Sequence, residues 1–172
     1  KVIKGKYIKR YSLEYHWEWI WYQPKEMMKR KGAGPRKIEC FEVPKKIILQ
    51  EISGNKIIAT LDTNNYFSLD TVNILYEINS NYEMEYILAL LNSKVINYLY
   101  GSQFKGIHVK LNELRQIPIK EIQKKDQQPF IKLADKMLSL NKKLHEQNLS
   151  QTEKQKIEEE IKRTDNEIDE LV

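Results

Sequence analysis

The sequence predicts an α+β fold: a mainly antiparallel sheet with a packed amphipathic helix, followed by a C-terminal antiparallel helical hairpin of coiled-coil type. Three observations predict it. Apolar runs at Lys45–Ile52 and Lys56–Leu61 are joined by Ser53-Gly54-Asn55, which is hairpin turn chemistry. Met84, Ile87, Leu88, Leu91, Val95 and Leu99 recur at spacings of three and four, the mark of one apolar helix face. Past residue 126 the same spacing returns twice, at Leu133, Met137, Leu140 and Leu144 and again at Ile157, Ile161, Ile168 and Leu171, with polar Thr164 in the seam.

From the N-terminus, the run to Tyr22 is rich in aromatics, and Trp17, Trp19 and Trp21 alternate with Glu18 and Ile20. A period of two predicts a strand with an aromatic face. The plainer consequence is a core-facing stripe; the sharper one is stacking on exposed bases. Next, Lys29-Arg30-Lys31 and Arg36-Lys37 flank Gly32-Ala33-Gly34-Pro35, a tetrad that breaks helices and predicts an exposed loop. Beyond the 45–61 hairpin, Asp62-Thr63-Asn64-Asn65 makes a turn, and Tyr66–Leu69 and Thr71–Ile78 continue the sheet as a meander. Ser80-Asn81-Tyr82-Glu83 has the form of a capping box before the apolar helix, and Gly101 suits its end. A polar loop carrying Lys105 follows, then a brief strand at Ile107–Lys110, a helical turn at Leu111–Gln116 and an extended exit through Pro118. Pro129 fits a first helical turn, and Ser150-Gln151-Thr152-Glu153 starts the last helix after a joint near Asn148. The expected division is an α+β unit at 1–125 and a helical arm at 126–172, each arm helix about 30 Å long by its rise per residue.

Composition limits the function. The 172 residues are 41% hydrophobic and 31% charged, enough for a core. No apolar run approaches the length needed to span a bilayer, so a soluble protein without a membrane partner is expected, and a lone cysteine with no disulfide suits a reducing cytoplasm. The chain opens Lys1-Val2-Ile3-Lys4 without Met, which suggests a piece of a longer protein. Cys40 is the sole cysteine and sits beside Phe41, which favours a small packed residue over a nucleophile. The net charge of +5 is uneven: residues 1–56 carry +8, while 57–128 and 129–172 carry −1 and −2. A cationic third of this kind is an electrostatic footprint for a polyanion.

Catalytic signatures are missing from the sequence. His16, His108 and His145 lie in separate regions with no zinc-ligand spacing. Gly32 and Gly34 lack the Lys-Ser/Thr ending of a phosphate loop, and no Gly-x-Ser-x-Gly elbow occurs. The one Glu-x-Lys, Glu160-Ile161-Lys162, falls on the predicted hairpin with Ile161 in its seam. There is no Asn-Pro-Pro-Tyr or Asp-Pro-Pro-Tyr motif to hold a flipped adenine and no glycine motif for a methyl donor.

Several segments, in order, resemble one family. They are Ile8-Lys9-Arg10-Tyr11; Val43-Pro44-Lys45-Lys46-Ile47-Ile48 with Gln50-Glu51-Ile52; and Ala59-Thr60-Leu61-Asp62 leading to Tyr66-Phe67. The helix Tyr86-Ile87-Leu88-Ala89-Leu90-Leu91-Asn92-Ser93-Lys94 and Leu114-Arg115-Gln116-Ile117-Pro118-Ile119 follow, and the tail from Thr164 to Val172 is similar to the family's helical end. The family is the TaqI-like C-terminal specificity domain, the target-recognition module of N6-adenine methyltransferases and fused methyltransferase–endonucleases. The resemblance implies a non-catalytic module that binds double-stranded DNA and needs no cofactor of its own. It further implies an upstream methyltransferase domain in the same chain that binds S-adenosylmethionine.

On that basis Lys29, Arg30, Lys31, Arg36 and Lys37 are expected at phosphates. Arg36 or Arg30 suits guanine and Asn64 or Asn65 adenine, with Lys9, Arg10 and Lys105 as secondary contacts. The hairpin would brace the reading head or form a dimer. The competing classes are a protein-interaction module with an oligomerising hairpin and a small enzyme with a dispersed site.

Overall fold

The computed structural model describes residues 1–146 and 149–172, and it is α+β as expected. Three two-residue strands open the chain: β1 (Val2–Ile3), β2 (Ile8–Lys9) and β3 (Ser12–Leu13), the last two paired as a small antiparallel ribbon. Residues 14–23 then run without regular structure, contrary to the strand expected there. The alternation is real, but its polarity is reversed. Glu18 faces the body, taking Val2 N–H on its carbonyl at 3.0 Å and Lys4 Nζ and Tyr7 OH on its carboxylate at 2.8 Å each. Trp17, Trp19 and Trp21 point outward at 77%, 70% and 76% exposure, so the core-facing stripe is wrong. Trp17 also takes a left-handed φ of 56°, which no strand tolerates.

One-turn helices α1 (Pro24–Met27) and α2 (Glu39–Glu42) bracket the basic loop, where Gly32 supplies a φ of 82°. The central strand β4 (Lys46–Gln50) is buried at every position. Its neighbours are β5 (Ala59–Asp62) and, after the short β6 (Phe67–Ser68), β7 (Val72–Leu75). Both β5 and β7 pair antiparallel with β4, giving the order β5-β4-β7 instead of a meander, while β6 pairs in parallel with β1. The reason is that β4 is apolar on both faces. Ile47 and Leu49 point into the main core and Ile48 into a second cluster with Ile3, Ile8, Tyr66 and Val72. A strand covered on two faces is a central strand, and the chain must return to its free edge.

The tip between β4 and β5 has the expected left-handed residues, Gly54 (φ 67°) and Asn55 (φ 53°). It is pinned from afar: Ser53 and Gly54 N–H donate to Ile107 O at 3.0 and 3.2 Å, and Ile57 N–H donates to Asn97 Oδ1 at 2.8 Å. The brief strand expected at 107–110 reduces to one bridge, Ile52 to His108.

The single helix expected from Met84 is two, α3 (Met84–Asn92) and α4 (Lys94–Gln103). Ser93 breaks them by adopting ψ 154° and capping the second, its Oγ accepting from Ile96 N–H at 3.2 Å. Gly101 therefore lies inside α4 instead of ending a helix. The Ser80 capping box is not used either, because Glu83 N–H donates to Gln127 Oε1 at 2.9 Å from a distant segment. After the turn α5 (Leu111–Leu114), the C-terminal pair is α6 (Gln128–Leu144) and α7 (Gln151–Leu171), with the Ser150–Glu153 box formed as expected. The expected joint falls partly on Gln147 and Asn148, outside the described residues.

These last helices pack into the body of the fold. Phe130 meets Tyr86 of α3 edge-on at 5.0 Å, and Phe130, Ala134, Met137 and Ile168 belong to the main core. Thr164 is buried in the seam and satisfied locally, its hydroxyl donating to Glu160 O at 2.8 Å. Among the described residues no helix is long and apolar enough to cross a membrane.

Candidate nucleic-acid interface

Three groups of cations emerge from this fold, and the ten residues singled out in the sequence divide among them. The first is built on the aromatic cluster of Tyr22, Phe41 and Phe67, whose rings pack at 4.6–6.0 Å. That cluster brings the end of the tryptophan segment, the basic loop and β6 together around a cleft of about 370 Å³ lined by Ile20, Gly34, Pro35, Arg36 and Ser68 among others. Arg36 is held there: its Nη1 donates to Ser68 Oγ at 3.0 Å, and its carbonyl accepts from Tyr22 OH. Arg30, Lys31 and Lys37 are exposed on the same loop, and Lys29 is exposed but paired with Glu26 at 2.8 Å. The Lys37 carbonyl accepts from Cys40 Sγ at 2.9 Å. Burial pushes the Cys40 thiol up, as suits a packed residue.

The exposed Asn64 and Asn65 belong to this group through the backbone, since they lie in the turn between β5 and β6. Asp62 shapes the turn, Oδ1 accepting Asn64 N–H at 2.8 Å and Oδ2 accepting Tyr66 N–H at 3.0 Å. Asn65 takes the left-handed φ of 55° that Asn tolerates better than most residues. Tyr66 then packs tilted against Tyr15 at 5.1 Å, and Tyr15 against Trp17 at 5.5 Å, which ties the turn to the other end of the tryptophan segment.

Lys9 joins a second group. With Lys4 and Lys6 it lines a cleft of about 480 Å³ against Gln50, Ile52, Leu69 and Thr71. The approach is close: a Cβ on Gly5 would meet Thr71 O at 2.2 Å, so only glycine fits between the two lysines.

Lys105 and Arg10 line the third and largest cleft, about 740 Å³, with Lys56, Lys94 and Tyr98. Arg10 has a structural task there. Its guanidinium forks onto Asp165 of α7, with Nη2–Oδ1 at 2.5 Å and Nη1–Oδ2 at 3.1 Å, and Nη2 also donates to Asn92 O at 2.7 Å. Lys94 adds to the clip, its N–H donating to Asp169 Oδ1 at 2.7 Å. Lys105 Nζ donates to Gly101 O at 3.0 Å.

The sequence reading missed Lys4, Lys6, Lys56, Lys94 and Tyr98. Tyr98 is 81% exposed, and the expected apolar face misplaced this helix: α4 buries Ile96 and Tyr100, while Val95 is 50% exposed. Among the described residues, no three His, Cys, Asp or Glu side chains gather as a metal-binding group.

The chain belongs to the TaqI-like C-terminal specificity domain family, whose model matches residues 1–119. The match stops short of α6 and α7, so the likeness of the tail to the family's helical end lies outside it. Among solved structures, the fold is similar to the Type IIL restriction-modification enzyme MmeI in complex with DNA, with a TM-score of 0.57 at 14% identity. That similarity covers 74% of this chain and 18% of the MmeI chain, so the chain spans under a fifth of that enzyme. No curated protein matches.

Proposed function

We propose that this chain is the DNA target-recognition domain of a larger restriction-modification enzyme. In this reading it positions an adenine-N6 methyltransferase domain of the same polypeptide on its site. The observation that carries the reading is that the tryptophan segment meets the basic loop at the Tyr22–Phe41–Phe67 cluster and the Asn64–Asn65 turn, through Tyr66 and Tyr15, at its other end, in a chain of the specificity-domain family. Lys31, Arg30 and Lys37 contact phosphates, while Arg36, steadied by Ser68, and the Asn64–Asn65 turn reach base edges. S-adenosylmethionine is held by the rest of the polypeptide, which works in the cytoplasm where the DNA is. The tryptophans have a role in the same scheme: an enzyme that extrudes its target base leaves neighbouring bases with an open face, and an exposed indole can stack there.

A salt titration of duplex binding by the full-length protein tests this. Replacing Lys29, Arg30 and Lys31 by Gln should flatten the slope of log affinity against log salt by about 0.9 for each phosphate that is no longer neutralised. Lys29 contributes least, because Glu26 already neutralises it. An unchanged slope removes the loop from the interface and favours the protein-interaction reading, in which the loop binds an acidic partner.

A further inference from the structure

Two opposite charges lie fully buried at the end of the central strand pair. Lys46, the first residue of β4, faces Asp62, the last of β5, with Nζ–Oδ2 at 2.7 Å and both side chains 0% exposed. Buried ion pairs are weak stabilisers, because removing two charges from water offsets their attraction unless every polar atom is engaged. Here the engagement is directed. Lys46 Nζ donates to Phe41 O at 2.9 Å, in the helix α2 that closes the basic loop. Asp62 takes the two backbone N–H groups, Asn64 and Tyr66, that flank the tip of the Asn turn. One lysine thus joins the loop end to the turn through a chain of bonds shielded from solvent. An apolar pair of similar volume would fill the space, but it would bond neither Phe41 O nor the turn amides.

We infer that Lys46 and Asp62 are positioning residues for target recognition: the pair fixes the Asn64–Asn65 turn at a set offset from the 29–37 loop. Groups reading bases and groups seated on phosphates then meet the duplex in one register. This rests on the target-recognition reading above and adds to it the device that sets the register. A displacement of about 1 Å at the turn is enough to break a bidentate base contact, whereas phosphate contacts tolerate it.

The test is enrichment from a duplex library with a randomised core, using the full-length protein. Wild type is compared with Asn64→Ala, with Lys46→Met/Asp62→Leu, and with Lys46→Met/Asp62→Asn, which keeps an Oδ1 acceptor for the turn while removing both charges. Lys46→Met/Asp62→Leu leaves no unpaired buried charge, so the fold is retained. The expected result is that it relaxes selectivity about 5- to 100-fold at the positions that Asn64→Ala relaxes. Affinity for non-cognate duplex and the salt slope stay at the wild-type level. Enrichment of the wild-type motif at wild-type selectivity overturns the inference, as does equal loss at every position, which marks a merely structural role. Should circular dichroism show Lys46→Met/Asp62→Leu unfolded, Lys46→Met/Asp62→Asn decides by the same criterion. If wild type itself enriches no motif, the recognition reading fails first and takes the inference with it.

Discussion

The Tyr100 hydroxyl donates to Glu113 Oε2 at 2.5 Å and joins α4 to α5. That bond favours the ionised carboxylate and holds Glu113 below its ordinary value of 4.5. Burial, and then the same bond, push the Tyr100 phenol well above its ordinary range. Since Glu113 gives up its proton at lower pH in the folded chain than in the unfolded one, its contribution is complete above the unfolded value. It is lost as pH falls through the folded value. Tyr100→Phe should therefore bring Glu113 back toward 4.5 in a carboxyl-carbon NMR titration. It should also cost about 1 kcal/mol at neutral pH, a deficit that narrows in acid. Single residues were legible where their surroundings are their sequence neighbours: Cys40 beside Phe41 is packed and buried as its composition suggests. The tryptophans were not. A period of two says which residues share a side but not which side is wet, and that was settled by Lys4 and Tyr7 gripping Glu18.

Helices whose signals are local formed as read, and those capped from a distance did not. Ser150 and Glu153 supply each other's bonds within four residues, and α7 starts where they stand. The start of α3 is set by Gln127, which also donates from Nε2 to Asn81 O at 2.7 Å, and nothing near Glu83 announces it. Ser93 is a strong cap lying inside an unbroken apolar period, so periodicity joined what the cap divides. The docking of α7 was equally hidden, since Arg10 and Asp165 are separated by most of the chain. Arg10 is partly exposed and its pair is screened, yet it also satisfies Asn92 O. Arg10→Gln should lower stability by about 1–2 kcal/mol and speed amide exchange along α7 first. Equal acceleration in β4 would show that the helix is held by its apolar seam alone.

At the scale of the molecule, the regional charge was visible in the sequence, but its partition was not. Lys9, Arg10 and Lys105, close in kind, end in two different clefts: Lys9 closes β2 beside Lys4 and Lys6, whereas Arg10 opens the turn to β3 and reaches Asp165 of α7. The outward tryptophans give a clean separation of binding from folding. Trp19→Ala removes no buried contact and should shift unfolding free energy by no more than about 0.5 kcal/mol in a urea titration. Under the recognition reading it should weaken duplex binding about tenfold in an anisotropy titration. A change in stability without one in binding would return these rings to a packing role. The main core also bears on how recognition modules are exchanged between enzymes. The family match ends at Ile119, yet Phe130, Ala134 and Met137 from beyond that point complete the main core, and Phe130 packs edge-on against Tyr86 of α3. A chimaera cut at Ile119 would transplant the reading loops with an open wound of apolar surface. A cut placed after Leu171 would carry them with their lid, so the unit of exchange is longer than the unit of homology.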